Sequence, residues 1–319
     1  MSRKCRFCAA PLQHTFCDLG QSPLSNAYVQ PDALDTEDTY YPLHAWVCDN
    51  CFLVQLEEFE SPADIFSDYA YFSSYSDSWL AHCRDYATKM RSRLELDASH
   101  QVVEIASNDG YLLQYFAGAG IPVLGVEPAA NVAAVAIDKG VPTVIEFFGV
   151  ECAKRLVDNG QQADLLLGNN VLAHVPDIND FVAGMAVALK PAGVVTMEFP
   201  HLLQLMRHNQ FDTIYHEHFS YLSLLAVEKI FAAHGLQVFD VDELPTHGGS
   251  LRIYGRHAED EMRPVTQNVT DLRHRELRAG LHRLGTYQGF ARQVAQVKRH
   301  LLEFLIQVKE EGKTVVGYG

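Results

Sequence analysis

The sequence predicts an α/β protein in three parts, and three observations carry the prediction. Residues 101 to 199 alternate short apolar segments with stretches of helical period, the pattern of a parallel sheet with helices on both faces. Two identical brackets, Cys5-Arg-Phe-Cys8 and Cys48-Asp-Asn-Cys51, precede that region. After it, Lys313-Thr-Val-Val-Gly-Tyr-Gly319 reads as a buried strand entering a glycine loop. The expected boundaries are 1–62 for a small cysteine module, 63–257 for the central α/β unit, and 258–319 for a helical connector with the first strand, around Val315, of a second α/β domain. A lone strand leaves its ladder groups unpaired, so the second α/β domain is expected to be truncated in this sequence.

The N-terminal module comes first. Two C-x-x-C pairs can supply four thiolates to one tetrahedral zinc, so Cys5, Cys8, Cys48 and Cys51 are read as ligands of a structural zinc. Exposed unpaired thiols and a disulfide are the competing readings. Cys17, Cys83 and Cys152 have no partner at ligand spacing and read as small buried apolar residues. Tyr40–Cys48 and Phe52–Leu56 read as strands flanking the second pair. The stretch Asp64–Asp77, rich in Tyr, Ser and Phe, reads as a loop. Trp79–Leu94 has helical spacing, with Leu80, Cys83, Ala87, Met90 and Leu94 on one stripe.

The central unit then alternates. Strands are expected at Gln101–Ala106, Pro122–Val126, Pro142–Ile145, Ala163–Leu167 and Gly193–Phe199, and helices at Gly110–Ala119, Ala129–Lys139, Glu151–Asn159 and Ile178–Leu189. A further helix, Leu224–His234, precedes strands at Leu236–Val241 and Ser250–Tyr254. Val269–Glu311 reads as one long, charged, mostly helical connector.

Composition narrows the function. Across 319 residues the formal charge is −15, from 40 acids against 25 bases, which argues against a nucleic-acid partner, since that needs a basic face. No stretch reaches the roughly 18 apolar residues of a membrane span, and Met-Ser-Arg-Lys-Cys lacks the apolar core of a signal peptide. The expectation is a cytoplasmic monomer with no membrane partner, in a reduced compartment that suits thiolate ligands.

Five segments carry chemistry. Glu104-Ile-Ala-Ser-Asn108-Asp109-Gly110 follows the first strand of the sheet and opens a helix, and the acid of Gly125-Val-Glu127-Pro128 closes the second. Ligands of open α/β sheets bind at such strand ends. The pattern is not G-x-G-x-x-G, so S-adenosylmethionine fits better than a dinucleotide, with Glu127 on the ribose; a generic α/β turn is the bland alternative. Gly168-Asn-Asn170-Val171-Leu-Ala-His174-Val-Pro-Asp177 ends the fourth strand, where it would line the adenosine and face a substrate. His174 there reads equally as a helix cap or core histidine. Tyr215-His216-Glu217-His218-Phe-Ser-Tyr221 holds a candidate general base, because imidazole titrates near neutral pH. A metal site and a plain polar loop compete with that reading. If the segment is extended, His216 and His218 point the same way. Thr246-His247-Gly248-Gly-Ser-Leu-Arg252 offers backbone donors and a cation to an anionic or sugar-hydroxyl ligand, or is a plain glycine turn.

In order and spacing, these motifs together with Tyr71-Phe-Ser-Ser-Tyr75-Ser-Asp77 and the final G-Y-G resemble the sugar C-methyltransferases that act on nucleotide-linked deoxysugars. The resemblance implies a zinc-binding N-terminal domain, a Rossmann-like methyltransferase core using S-adenosylmethionine, and a C-terminal Rossmann-like domain. It implies that His218 removes the proton beside a 4-keto group. Tyr215, Glu217, His174 and Tyr75 would orient or stabilise it. By the same reading, Glu104, Asn108, Asp109, Gly110, Glu127, Pro128, Asn170 and Val171 hold the cofactor, and His247, Gly248 and Arg252 the sugar substrate. Ala106 stands where that family has glycine, implying a tighter cofactor turn. O- or N-methylation, or a zinc-ribbon interaction protein with a degenerate methyltransferase domain, are the rival readings.

Overall fold

A computed structural model describes residues 3–25, 29, 32, 35, 37–61 and 71–317. Residues 64–70 of the expected loop over 64–77, and Tyr318 and Gly319 of the glycine loop, therefore lie outside the described residues.

In the N-terminal module, β1 (His14–Ser22), β2 (Tyr41–Val47) and β3 (Val54–Gln55) form an antiparallel sheet. Helix α1 (Asp77–Arg93) follows. Its start is set by Ser76, whose side chain accepts from Trp79 N, and its ends carry Asp77 and Arg91/Arg93, in keeping with the helix dipole. Cys83, Tyr86, Ala87 and Met90 form its buried stripe.

Alternation then builds the central sheet: β4 (Val102–Ile105), α2 (Leu113–Ala117), β5 (Val123–Val126), α3 (Ala130–Asp138), β6 (Thr143–Val144), α4 (Val150–Asp158), β7 (Ala163–Asn169), α5 (Ile178–Ala188) and β8 (Leu189–Pro200). Next come α6 (Leu202–His208), β9 (Ser220–Tyr221), α7 (Leu224–Ala233), β10 (Leu236–Leu244) and β11 (Ser250–His257). The strand order is β10-β11-β8-β7-β4-β5-β6. Strands β4 to β8 are parallel, while β11 runs antiparallel to both neighbours. Strand order reverses between β4 and β7, so the sheet opens a crevice above their C-terminal ends. Every residue of β4 is buried, as expected of a strand covered on both faces.

Four expectations change. Helix α2 is much shorter than Gly110–Ala119, because Asn108 and Gly110 spend the start of that stretch in a left-handed turn (φ 47° and 76°). The connector is three helices, α8 (Gln267–Arg278), α9 (Leu284–Gln288) and α10 (Phe290–Glu310), broken first at Gly280 with φ 86°. It is also docked: Phe290 stacks on Phe16 of β1 at 4.6 Å, and Val269 and Leu272 are buried. Lys313–Gly317 is not a strand, and Val316 is 85% exposed, since no described strand runs beside it to complete a ladder. Finally, the module is not a separate sheet, because β9 from the central unit pairs with β3.

One buried group ties the C-terminal helices to the core. Glu276 of α8 is fully buried and accepts from Leu224 N (2.7 Å) and Leu225 N (2.9 Å), the first turn of α7, while His201 Nε2 lies 2.7 Å away. Removing it strands three polar partners. Glu276→Ala is expected to lower the unfolding free energy by about 3–5 kcal/mol, read as the shift in urea midpoint against exposed Glu310→Ala.

Candidate active site

The four bracket cysteines meet in two equivalent knuckles. Ala9 and Phe52, each following the second cysteine of its pair, take left-handed φ of 59° and 65°, and their amides donate to Cys5 O and Cys48 O. The geometry brings all four Sγ atoms within 4.8 Å of one another, with Cys5–Cys51 at 3.6 Å and Cys8–Cys48 at 3.5 Å. A disulfide needs about 2.05 Å, whereas a tetrahedral zinc with Zn–S near 2.3 Å separates its sulfurs by about 3.8 Å. The donor set therefore fits zinc. Hydrogen bonds from Cys48 and Cys51 hold the Cys5 thiol far down while the same contacts push Cys51 up, and Gln55 Nε2 donates to Cys5 Sγ at 3.2 Å. Cys17, Cys83 and Cys152 are buried singly, as expected.

Above the ends of β4 and β7 lies a cleft of about 1070 Å³. Its cofactor end is built by the turn after β4. Glu127 Oε2 accepts from Asn108 N and Oε1 from Ala129 N, both at 2.9 Å. Asn108 also accepts from Ser73 N (2.9 Å) and donates to Tyr71 O (3.0 Å). Ala106 has φ 57°, a left-handed conformation that costs an L-residue about 1–2 kcal/mol. Asn108, Glu127, Pro128, Asn170 and Val171 all line the cleft. Asn169 Nδ2 and Asn170 Oδ1 are buried without protein partners there. Free donors and acceptors beside a carboxylate that retains lone pairs fit the hydroxyls and base of an adenosine.

Three expected cofactor residues lie elsewhere. Glu104 points beneath the turn, is 0% exposed and is pushed well above the carboxylate range by burial. Asp109 faces away, bonded to Ser74 Oγ and Lys139 Nζ. Gly110 has φ 76°, and a Cβ there would crowd Val141 Cγ2 at 3.1 Å and Ala136 Cβ at 3.4 Å. The latter two fix the turn rather than line the cleft.

At the other end, His174, Tyr215, Glu217, His218 and His247 line the same cleft. The imidazoles of His174 and His218 meet edge to face at 4.6 Å, and the Tyr215 ring lies 4.1 Å from His218. His218 Nδ1 is 2.8 Å from Thr213 O. A carbonyl only accepts, so Nδ1 carries the proton and Nε2 keeps its lone pair. Burial holds His218 down at about 4 and His174 well below its ordinary value, so both are neutral near pH 7. Burial and the Glu217 charge push the Tyr215 phenol up to about 12, leaving it a hydrogen-bond donor. The segment is a turn rather than extended, and its two histidines part company: His216 points to Pro42 O (3.2 Å) and the Tyr41 and Phe59 rings.

Three more expectations are corrected. Tyr75 is 80% exposed, with its ring tilted against Phe72 at 5.4 Å, because the short helix at Ser73–Tyr75 turns its serines inward. Arg252 is 4% exposed and committed to Glu198 Oε2 at 2.5 Å, facing a smaller groove of about 540 Å³. Gly248 lies outside the cleft lining and offers its carbonyl to Gln210. Sequence reasoning missed Trp79 and His82, which line the cleft from α1, and Glu198, which holds His82 Nε2 at 2.9 Å. Burial alone would raise Glu198, but His82, Arg252 and Thr246 outweigh it and hold it below the usual carboxylate value. A carboxylate inside the apolar run Val194–Phe199 was the available signal.

Two predictions follow from this geometry. Elemental analysis of protein purified without chelator should find one zinc per chain, lost in Cys48→Ser with unfolding of the N-terminal module. Glu127→Ala removes both a ribose acceptor and the anchor of Asn108 N. Calorimetry should show S-adenosylmethionine binding weakened by about 1–3 kcal/mol.

Family models match along the chain: "Putative zinc binding domain" at residues 5–66, "Methyltransferase domain" at 79–241 and "C-methyltransferase C-terminal domain" at 245–319. The chain is 35% identical to C-methyltransferase NovU of Streptomyces niveus over 318 residues, spanning 99% of this chain and 75% of that protein. A ubiquinone biosynthesis O-methyltransferase of Methylobacterium nodulans is 30% identical over 116 residues, 35% of this chain and 45% of that protein. Among solved structures, magnesium protoporphyrin IX methyltransferase from Synechocystis PCC 6803 with bound SAH superposes with TM-score 0.44 at 14% identity, over 55% of this chain and 82% of that one. Three matched models in series and a relative aligned along nearly the whole of this chain agree with the strand order and the cleft: the chain belongs to the S-adenosylmethionine-dependent C-methyltransferases with an N-terminal zinc-binding domain.

Proposed function

We propose that the protein methylates a ring carbon of a nucleotide-linked 4-keto deoxysugar, with His218 as the base. The observation that carries this reading is the imidazole of His218, which keeps Nδ1–H on Thr213 O and so offers Nε2 as an acceptor in the cleft.

A carbon beside a ketone is a weak acid, and the task of the protein is to take its proton. His218 Nε2 accepts that proton, and the electron pair moves onto the keto oxygen. Tyr215, kept protonated, supplies a donor for the oxyanion. His174 crowds His218 edge to face and fixes its plane. Glu217, held by Ser25 Oγ at 2.8 Å, supports the positive charge that His218 gains. Bound S-adenosylmethionine supplies a methyl group on a sulfonium, already activated toward a carbon nucleophile, and the turn at Asn108 with Glu127 would hold it. The zinc, held by four protein thiolates, has no open position for chemistry. As an acid-resistant base, His218 needs only to be neutral, so the rate rises with pH through about 4 and is level above it.

The reading is tested by a mass-spectrometric assay against a panel of nucleotide-linked 4-keto deoxysugars, where no mass gain on any sugar would refute it. Solvent deuterium exchange at the sugar carbon, without methyl donor, isolates the base. His218→Ala should lower exchange by about 100-fold or more while sugar binding persists, and His216→Ala should retain most of it. The reverse result moves the base to His216.

A further inference from the structure

We propose that the zinc knuckle is a positioning element of the active site, and that Arg6, between Cys5 and Cys8, is the residue through which it acts. The proposal rests on the reading of His218 and His174 as active-site groups.

The knuckle is docked, not merely adjacent. Arg6 Nη1 donates to Pro176 O and Nη2 to Leu56 O, each at 2.5 Å. Pro176 stands two residues after His174, so this bond fixes the carbonyl end of the loop that presents His174. The same guanidinium lies 5.2 Å from the centre of the Phe219 ring, and Phe219 follows His218 directly. Arg6 therefore touches the chain next to both cleft imidazoles, which otherwise belong to segments 44 positions apart (174 and 218). The knuckle backbone is gripped in return. Asn179, in the first turn of α5, donates to Arg6 O (3.0 Å) and Phe7 O (2.9 Å), and Arg6 N donates to Gln55 Oε1 (2.8 Å). Gln55 also donates to Cys5 Sγ, so ligand, knuckle backbone and catalytic loops form one bonded chain.

The physical consequence concerns precision rather than binding. Arg6 touches Pro176 of the cleft wall only at its backbone carbonyl and does not itself line the cleft. Its loss frees the His174 loop and Phe219 without removing any group that meets a ligand. Small misplacements of a base and its donor cost rate steeply. A bidentate, planar cation reaching two carbonyls at once is a task for arginine, and lysine satisfies at most part of it.

The test compares Arg6→Ala, Arg6→Lys and Arg3→Ala in the zinc-loaded chain. Arg3 belongs to the same module but pairs with Glu57 on the surface, so it is the control. In Arg6→Ala, amides 171–177 and 213–221 should exchange with deuterium about 10- to 100-fold faster. Amides 106–110 and the zinc content should stay as in the parent, and Arg6→Lys should fall between. On a sugar that the parent turns over, kcat should fall while KM for S-adenosylmethionine is unchanged. Parent-like exchange in Arg6→Ala overturns the proposal, and so does uniform loss of protection with loss of zinc, which is a folding role only. If Arg6→Ala does not accumulate, Arg6→Lys and Asn179→Ala decide by the same local readout. A parent inactive on every sugar refutes the proposed function and leaves this inference standing on the exchange readout, because amide exchange requires no sugar.

Discussion

The cleft depends on the bonding of one side chain, Asn108. Its amide N–H reaches Glu127, its side-chain oxygen accepts from Ser73, and its side-chain nitrogen donates to Tyr71. All three are possible because its backbone is left-handed, with φ 47°, a region that asparagine enters more readily than other non-glycine residues. A charge-assisted hydrogen bond contributes about 1.5–3 kcal/mol and neutral ones about 1 each, which outweighs the backbone cost. The result joins the end of β4, the end of β5 and the segment before α1. Asp109, with Ser74 and Lys139, repeats the clasp one residue later. The turn is thus held from above by a strap as well as from below by the sheet, and the cofactor end of the cleft is fixed before any ligand arrives.

Buried glutamates show how environment assigns the role. Glu104 and Glu198 are both fully buried. Burial, with the charges of Glu127 and Asp109 nearby, pushes Glu104 well up. Glu198 has Arg252 and His82 and is held down as an anion. Glu276 spends its oxygens on the amides of an N-terminal helix turn, where a helix dipole favours negative charge. One residue type thus serves as a buried acid beneath the turn, as the centre of an ion cluster beside the cleft and as a helix cap across 51 and 52 positions of chain.

The elements that local pattern decides were legible in the sequence. The alternation through β4–β8, the helical stripe of α1 and the paired knuckles all rest on residues within a few positions of one another. What escaped was set by distance or by side-chain direction. His201 and Glu276 are 75 positions apart, and nothing local marks either as a latch. Tyr75 and Ser73 share a motif, yet the turn sends one to solvent and the other inward. Arg252 beside a glycine pair suggested a ligand-binding cation, because its partner Glu198 comes from a strand joined only by β-ladder register. The helical period over 269–311 was correct, but a period does not reveal Gly280 as a break or Phe16 as the docking partner.

Strand β9 is only Ser220–Tyr221, too short to stand alone, and it is ordered by pairing with Val54–Gln55 of the module. Directly after it, Leu222 O accepts from Leu202 N at the exit of the central sheet. The segment from Thr213 to Leu222 is therefore anchored in two sheets within two residues. Just before those anchors the chain turns at His216 and Glu217, with His216 back against Pro42 O of β2 and His218 in the cleft. An extended strand would have put both imidazoles on one face. The choice between two histidines two positions apart thus comes not from their chemistry but from the module holding the far end of the turn. That is a structural reason for a zinc-stabilised sheet to be fused to a cleft in which the zinc itself takes no part.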